Sequence, residues 1–369
     1  MHQVTARVNL TALKHNLNIV KELAPESRVV SVIKANAYGH GITAVAKALN
    51  KSDAFAVARM DEALLLREQG ITKTIFLLEG VYERDCYSLC SKHNLIPAIH
   101  CLQQFQWLQH SFNTNKLSGL SYWLKLDTGM HRLGLSSEQL HSILEVLESH
   151  PELVRPEGIM SHFSCADEIS SPVNKQQLEL FMQLSEVSFK IQRSMANSAA
   201  LISFPDSHFD WVRPGIMLYG ISPFETQTEI STSQQPALHP VMTLESELIA
   251  IKTLSREDCI GYGATWCCPE DMTIGVVGIG YGDGYPRHAR SGTPVRIRGI
   301  NVPLVGRVSM DMITIDLQVL YQRSITPIIG DKVTLWGDGL PVERVAQQSD
   351  TIAYELLCQI TQRVNIEYE

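Results

Sequence analysis

The stretch VVSVIKANAYGHG, residues 29–41, decides how this chain is to be read. Val29, Val30, Val32 and Ile33 make an apolar, β-branched run of strand length. Lys34 stands at its carboxyl end, and Asn36, Tyr38, Gly39, His40 and Gly41 form a polar turn into a helix. An amine placed between a dry strand and a turn is hard to keep charged, and a neutral amine attacks carbonyls. A solitary lysine at a strand end more commonly lays its stem on apolar surface and leaves its charge in water. The rest of the chain favours the first reading.

Working outward, short apolar runs recur: AFAVA (54–58), TIFLLEG (74–80), LIPAIHC (95–101), YWLKLD (122–127), RPEGIMSHFS (155–164), SMANSAA (194–200) and DWVRPGIMLYG (210–220). Amphipathic stretches of helical length lie between them, among them TALKHNLNIVKEL, DEALLLREQG, SEQLHSILEVLESH and KQQLELFMQLSEV. The acidic start of DEALLLREQG suits a helix amino terminus. About eight strand–helix units predict an α/β fold, an eight-stranded parallel (β/α)8 barrel of the TIM type. The polar, turn-rich segment Ser231–Pro240 reads as a linker. Beyond it VMTLESELIAIKTLS, MTIGVVGIGYG, TPVRIRG, NVPLVGRVSMDMITIDL and KVTLWG read as strands, with late helices at VERVAQQ and TIAYELLCQI and a closing strand at RVNIEYE. This predicts a barrel over 1–233 and a mainly β domain over 234–369. The first strand, residues 3–9, precedes the first helix and is free to join the β domain.

Composition bounds the function. The formal charge is 31 − 39 = −8, which disfavours a nucleic-acid partner, because a polyanion needs a basic footprint. No run approaches the roughly 18 apolar residues of a membrane span, and MHQVTARVNLTALKHN lacks the apolar core of a signal peptide. The expectation is a cytoplasmic protein without membrane partners. The eight cysteines form no paired CxxC units, so buried free thiols are expected. The thirteen histidines show no ligand spacing, and no metal is expected.

In such a barrel chemistry gathers at the carboxyl ends of the strands. That selects Lys34, Lys125, Arg132, His162, Asn197, Ser198, Arg213 and Gly215. These residues sit in recognisable motifs. VVSVIKANAYGHG, LKLDTGMHRLG, SHFS, MANSAA, VRPGIMLYG, GYGATW, GYGDGYPR, VGRVSMDM and TIAYELL, in this order, resemble the alanine racemase family over nearly the whole chain.

The resemblance implies pyridoxal 5′-phosphate carried by Lys34, with Asn197, Ser198, Gly215, Ile216 and Tyr38 around its phosphate. Arg213 matches the arginine facing the pyridine nitrogen. A guanidinium holds its proton too tightly to give it up readily, which would make the ring a weaker electron sink. Lys34 and Tyr262 match the two bases that serve opposite faces of the substrate Cα, Tyr262 entering from the other subunit of a homodimer. A phenol's ordinary pKa lies near 10, so the tyrosine needs help, and His162, linked to Arg213, is placed to give it. Arg132 matches the carboxylate clamp for alanine. Lys125 matches a lysine that relatives carry as a carbamate, whose charge would hold Arg132 where an ammonium would repel it. Met310 and Asp311 match the other subunit's residues on the substrate side. Tyr354 matches the tyrosine that narrows the pocket, and Tyr281 one on the access corridor.

The implied activity is interconversion of L- and D-alanine, supplying D-alanine for peptidoglycan in a bacterium. A racemase of broader range that includes serine is the nearest alternative. Amino-acid decarboxylases share the design but differ at GYGATW and MHRLG. A non-catalytic cofactor-binding barrel would not need Tyr262, and a metal hydrolase would need ligand spacing.

Overall fold

A computed structural model describes residues 4–115, 117, 119–224 and 236–369. Strand β1 (Thr5–Val8) comes first. Eight strands then close a parallel barrel: β2 (Arg28–Val32), β3 (Ala54–Val57), β4 (Thr74–Leu77), β5 (Leu95–Ile99), β6 (Trp123–Lys125), β7 (Gly158–Met160), β8 (Gln192–Ser194) and β9 (Trp211–Val212). The ring is sealed by Arg28 opposite Trp211 and Val29 opposite Val212. Phe76, Trp123 and Trp211 meet edge to face inside it, with ring centroids 5.3–6.3 Å apart, the geometry aromatic quadrupoles favour. Each predicted apolar run contributes one barrel strand. The run at 194–200 is displaced: the strand occupies Gln192–Ser194, and Ser198–Ser203 is a helix.

Local chemistry sets the helix starts. Asn9 caps Leu10–Leu23 by accepting from Ala12 N at 2.8 Å. Ser136 and Gln139 cap Ser137–Ser149 reciprocally.

The second domain is built on β10 (Met242–Leu254), whose thirteen residues are shared between neighbours. It is followed by β11 (Cys259–Ile260), β12 (Trp266–Cys267), β13 (Met272–Val277), β14 (Pro294–Ile297), β15 (Ile300–Pro303), β16 (Ile313–Asp316), β17 (Lys332–Trp336) and β18 (Asn365–Tyr368). The sheet runs β15-β14-β17-β10-β1-β18, with β13 on β10 and β16 on β13. Strand β1 therefore lies in this sheet, antiparallel to β10 and parallel to β18. The linker expected at Ser231–Pro240 is irregular over its described part, and the 233/234 boundary lies outside the described residues.

One expectation is corrected. Cys259 and Cys267 are disulfide-bonded, not free, because they face each other across the β11–β12 pair. The remaining thiols are unpaired, and of these only Cys90 and Cys268 are buried. Among the described residues no helix is long and apolar enough to cross a membrane.

Candidate active site

The β2 strand ends in an unusual turn. Ala35, Asn36, Ala37 and Tyr38 all have φ between 52° and 55°, a left-handed helical turn made of residues with side chains. That conformation costs roughly 1–2 kcal/mol per residue, and such strain persists only where surrounding contacts over-determine it. Gly41 N donates to Asn36 O at 3.0 Å, Asn36 Oδ1 accepts from Ile42 N at 2.9 Å, and His40 Nδ1 lies 2.8 Å from Tyr38 O. Gly39 continues the left-handed path with φ 80°. A Cβ there would fall 2.1 Å from Leu357 O, so the turn packs backbone to backbone on the helix Ala353–Cys358. The result is that Lys34 and Tyr38 face one cavity.

The cavity has a volume of about 750 Å³ and opens at the carboxyl ends of the barrel strands. Lys34, Tyr38, Lys125, Arg132, His162 and Arg213 line it, together with Asn197, Ser198, Gly215, Ile216 and Tyr354. These eleven predicted residues come from five strand ends and the C-terminal helix.

One wall is made for an anion. Asn197 caps the helix Ser198–Ser203 through Ala200 N at 3.0 Å. Ser198 Oγ accepts from Gly215 N at 2.9 Å and from Met217 N at 3.4 Å, tying the loops after β8 and β9 together. Helix amino termini expose backbone donors and carry positive dipole. Gly215 has no side chain to lose: a Cβ would lie 2.6 Å from Tyr38 Oη. Tyr38 rests on Tyr219, ring centroids 4.7 Å apart, and Tyr219 donates to Val32 O at 3.0 Å.

Another part of the lining is cationic. Arg213 donates to Ser194 Oγ at 2.6 Å, to Ser161 O, and to Met195 O at 3.4 Å. Burial pushes its guanidinium down to about 10, which leaves it charged at neutral pH. The Lys125 amine is pushed down to about 8, by burial first and then by Arg213, Arg132 and Lys34. It donates to Leu78 O at 3.2 Å. His162 lies well below the ordinary imidazole range, because burial and the cations Arg213, Lys125, Arg132 and Lys34 all oppose its protonation. Its tie to Arg213 is this field; the guanidinium's hydrogen bonds go elsewhere. The Tyr354 phenol is pushed up to about 12 by burial and then by Asp167, so it is a neutral wall.

Four predicted residues are not in the cavity. Tyr262 lies on the β11–β12 hairpin and is 69% exposed. Tyr281, Met310 and Asp311 lie together on the β domain, Tyr281 N donating to Ser309 O at 3.1 Å and Gly282 N to Met310 O at 2.8 Å. Asp311 is held by Arg363 at 2.7 Å, and Arg363 also meets Asp283 at 3.1 Å. Gly263 of the hairpin approaches Arg307, so the hairpin and the 307–311 segment form one surface. Tyr262, Tyr281, Met310 and Met312 are all exposed large side chains on it.

Sequence reading missed three residues. Glu62, on the helix Met60–Glu68, accepts from Ala35 N at 2.6 Å. Glu79 lines the cavity and favours the charged form of Lys125. Cys358 also lines it, its thiol raised by burial despite the nearby Lys34. The i, i+4 spacing of Cys358 from Tyr354 was a usable signal, since it puts both on one helix face.

With this geometry established, comparison with known proteins is informative. Residues 8–223 match the sequence model "Alanine racemase, N-terminal domain", and residues 241–368 match "Alanine racemase, C-terminal domain". The chain is 48% identical to an alanine racemase of Coxiella burnetii over 371 residues, and 46% identical to one of Aeromonas hydrophila over 368, covering all of both proteins in each case. Among solved structures it superposes on the biosynthetic alanine racemase of Pseudomonas aeruginosa with a TM-score of 0.91 at 41% identity. It superposes on that of Bartonella henselae, which has covalently bound pyridoxal phosphate, with a TM-score of 0.90 at 27% identity. Both comparisons cover the whole of each chain.

Proposed function

The chain belongs to the alanine racemase family, isomerases acting on amino acids, and from that premise we propose how its residues racemise alanine. The reaction uses pyridoxal 5′-phosphate held at Lys34, and two bases on opposite faces of Cα. Lys34 serves one face and Tyr262 of the partner subunit serves the other. The protein works in the cytoplasm as a homodimer and supplies D-alanine for peptidoglycan.

The residues fit a phosphate-bearing aldehyde. The helix start at Asn197–Ser198, the Gly215–Ile216 turn and the Tyr38 hydroxyl gather donors where a side chain at 215 would leave no room. Lys34 supplies the amine for the aldehyde. When bound, the cofactor withdraws electrons from the substrate Cα and so acidifies its hydrogen. Arg213 would face the ring and, keeping its own proton, would limit that withdrawal. Arg132 grips the substrate carboxylate through its planar fork of donors. His162 stays neutral and is assigned as the helper of Tyr262. Lys125 reacts as a neutral amine with carbon dioxide. A C–N bond forms, the amine proton is released, and the resulting carboxylate holds Arg132. Tyr354, with Met310 of the partner subunit, limits the side-chain space to a methyl group.

One observation carries the reading. The cavity holds the amine, the carboxylate clamp and the anion cradle, while Tyr262, Met310 and Asp311 stand exposed on the β domain of the same chain. This separation supports a site completed by a second chain. The test is a mixture of Lys34→Ala and Tyr262→Phe chains, each inactive alone. Hybrid dimers are expected to recover racemisation of L-alanine, followed by optical rotation. No recovery in confirmed hybrids overturns the shared site.

A further inference from the structure

The left-handed turn that presents Lys34 has restraints of its own and two from elsewhere in the same chain. Asn36 and His40 bond to groups within residues 36–42, so they shape the turn without fixing its direction relative to the barrel. Gly39 abuts Leu357 at the far end. At the near end Ala35, next to Lys34, donates its N–H to Glu62 Oε1 at 2.6 Å. The other carboxylate oxygen, Oε2, accepts from Ala58 N at 2.9 Å and Arg59 N at 3.2 Å. One carboxylate therefore joins the turn after β2 to the turn after β3. Ala35 opens the run of positive φ, and its N–H would otherwise face solvent.

We infer that Glu62 is a positioning residue, which aims the Lys34 amine into the cavity by bridging Ala35 to the Ala58–Arg59 turn. It touches neither substrate nor cofactor and acts only through the backbone of the Lys34 turn. The inference rests on the reading of Lys34 as a base. A charged acceptor gives stronger bonds to backbone N–H groups than a neutral one, which suits an anchor for a strained turn. Displacement of a reacting group by about 1 Å can cost on the order of 100-fold in rate, so a modest loosening has a large readout.

The conservative variant separates the two halves of the bridge. In Glu62→Gln the single amide oxygen satisfies the two donors Ala58 and Arg59, and the amide NH2 faces Ala35 without accepting. The helix start is kept and the Lys34 turn is released. Two measurements on the full chain test this. Hydrogen exchange on cofactor-free protein should speed up about 10-fold or more in peptides covering residues 34–41, with those covering 60–68 unchanged. In the holoenzyme kcat should fall about 10-fold or more, with KM for L-alanine within about twofold, because Arg132 stands on another strand end. Glu62→Ala should show the same changes plus faster exchange at 60–68. Wild-type exchange and kcat in Glu62→Gln overturn the inference, as does uniformly faster exchange across the barrel. The exchange arm needs no racemisation, so an inactive wild-type chain would defeat the functional reading alone.

Discussion

Lys125 and Gly215 show how much single residues carry. The Lys125 amine, brought down to about 8, becomes neutral as pH rises through that value, and only the neutral form attacks carbon dioxide. Carbon-dioxide-depleted protein is therefore expected to show a raised KM for alanine, restored at equal dissolved carbon dioxide faster above pH 8 than below it. High-resolution density ending in a bare amine at Lys125 rejects the carbamate. At Gly215, substitution by alanine pushes a methyl to 2.6 Å from Tyr38 Oη. The expected outcome is at least about a tenfold loss of affinity for pyridoxal phosphate, read by equilibrium dialysis, with the thermal midpoint little changed. Residues whose role depends on the end of their own strand were legible, because barrel topology makes strand ends converge. Glu62 was not. Its sequence says only that an acidic group begins a helix, and its second partner lies 27 positions away in another unit.

At the scale of elements, hydrophobic period located seven of the eight barrel strands, since buried parallel strands read as continuous apolar runs; the eighth, Gln192–Ser194, carries no apolar residue and was placed too late in the chain. The left-handed turn could not be read the same way. KANAY contains no glycine, and nothing in its residue types announces positive φ at four successive side-chain residues. The disulfide was hidden for a related reason: two cysteines eight apart meet only if the intervening residues form a hairpin. That hairpin has two residues per strand, too short to be stable by pairing alone, and it carries Tyr262. The double variant Cys259→Ser/Cys267→Ser is expected to lower kcat several-fold and to leave cofactor affinity unchanged, because the cavity lies elsewhere. Steady-state kinetics beside a cofactor titration will decide it; a parallel loss of both would place the fault in the barrel.

At the scale of the molecule, the two-part architecture was readable from the change of period after residue 240, but chain order and spatial order differ. Strand β1 lies between β10 and β18 and, among the described residues, is the only strand paired with β18, with Ala6 and Val8 fully buried. Deleting residues 1–8 is expected to unravel the β domain. The measurable sign is loss of near-ultraviolet dichroism from Tyr285 and Trp336, which stack there at 6.1 Å. Retention of that signal would show the strand to be dispensable. The arrangement also imposes an order on biosynthesis. Thr5–Val8 emerges from the ribosome well before the segments at Met242 and Asn365 that supply its two neighbours. At roughly 5–20 residues per second, the nascent strand waits on the order of 10–50 s for its first neighbour, with both edges bare while an entire barrel is translated, and on the order of 20–70 s for its second.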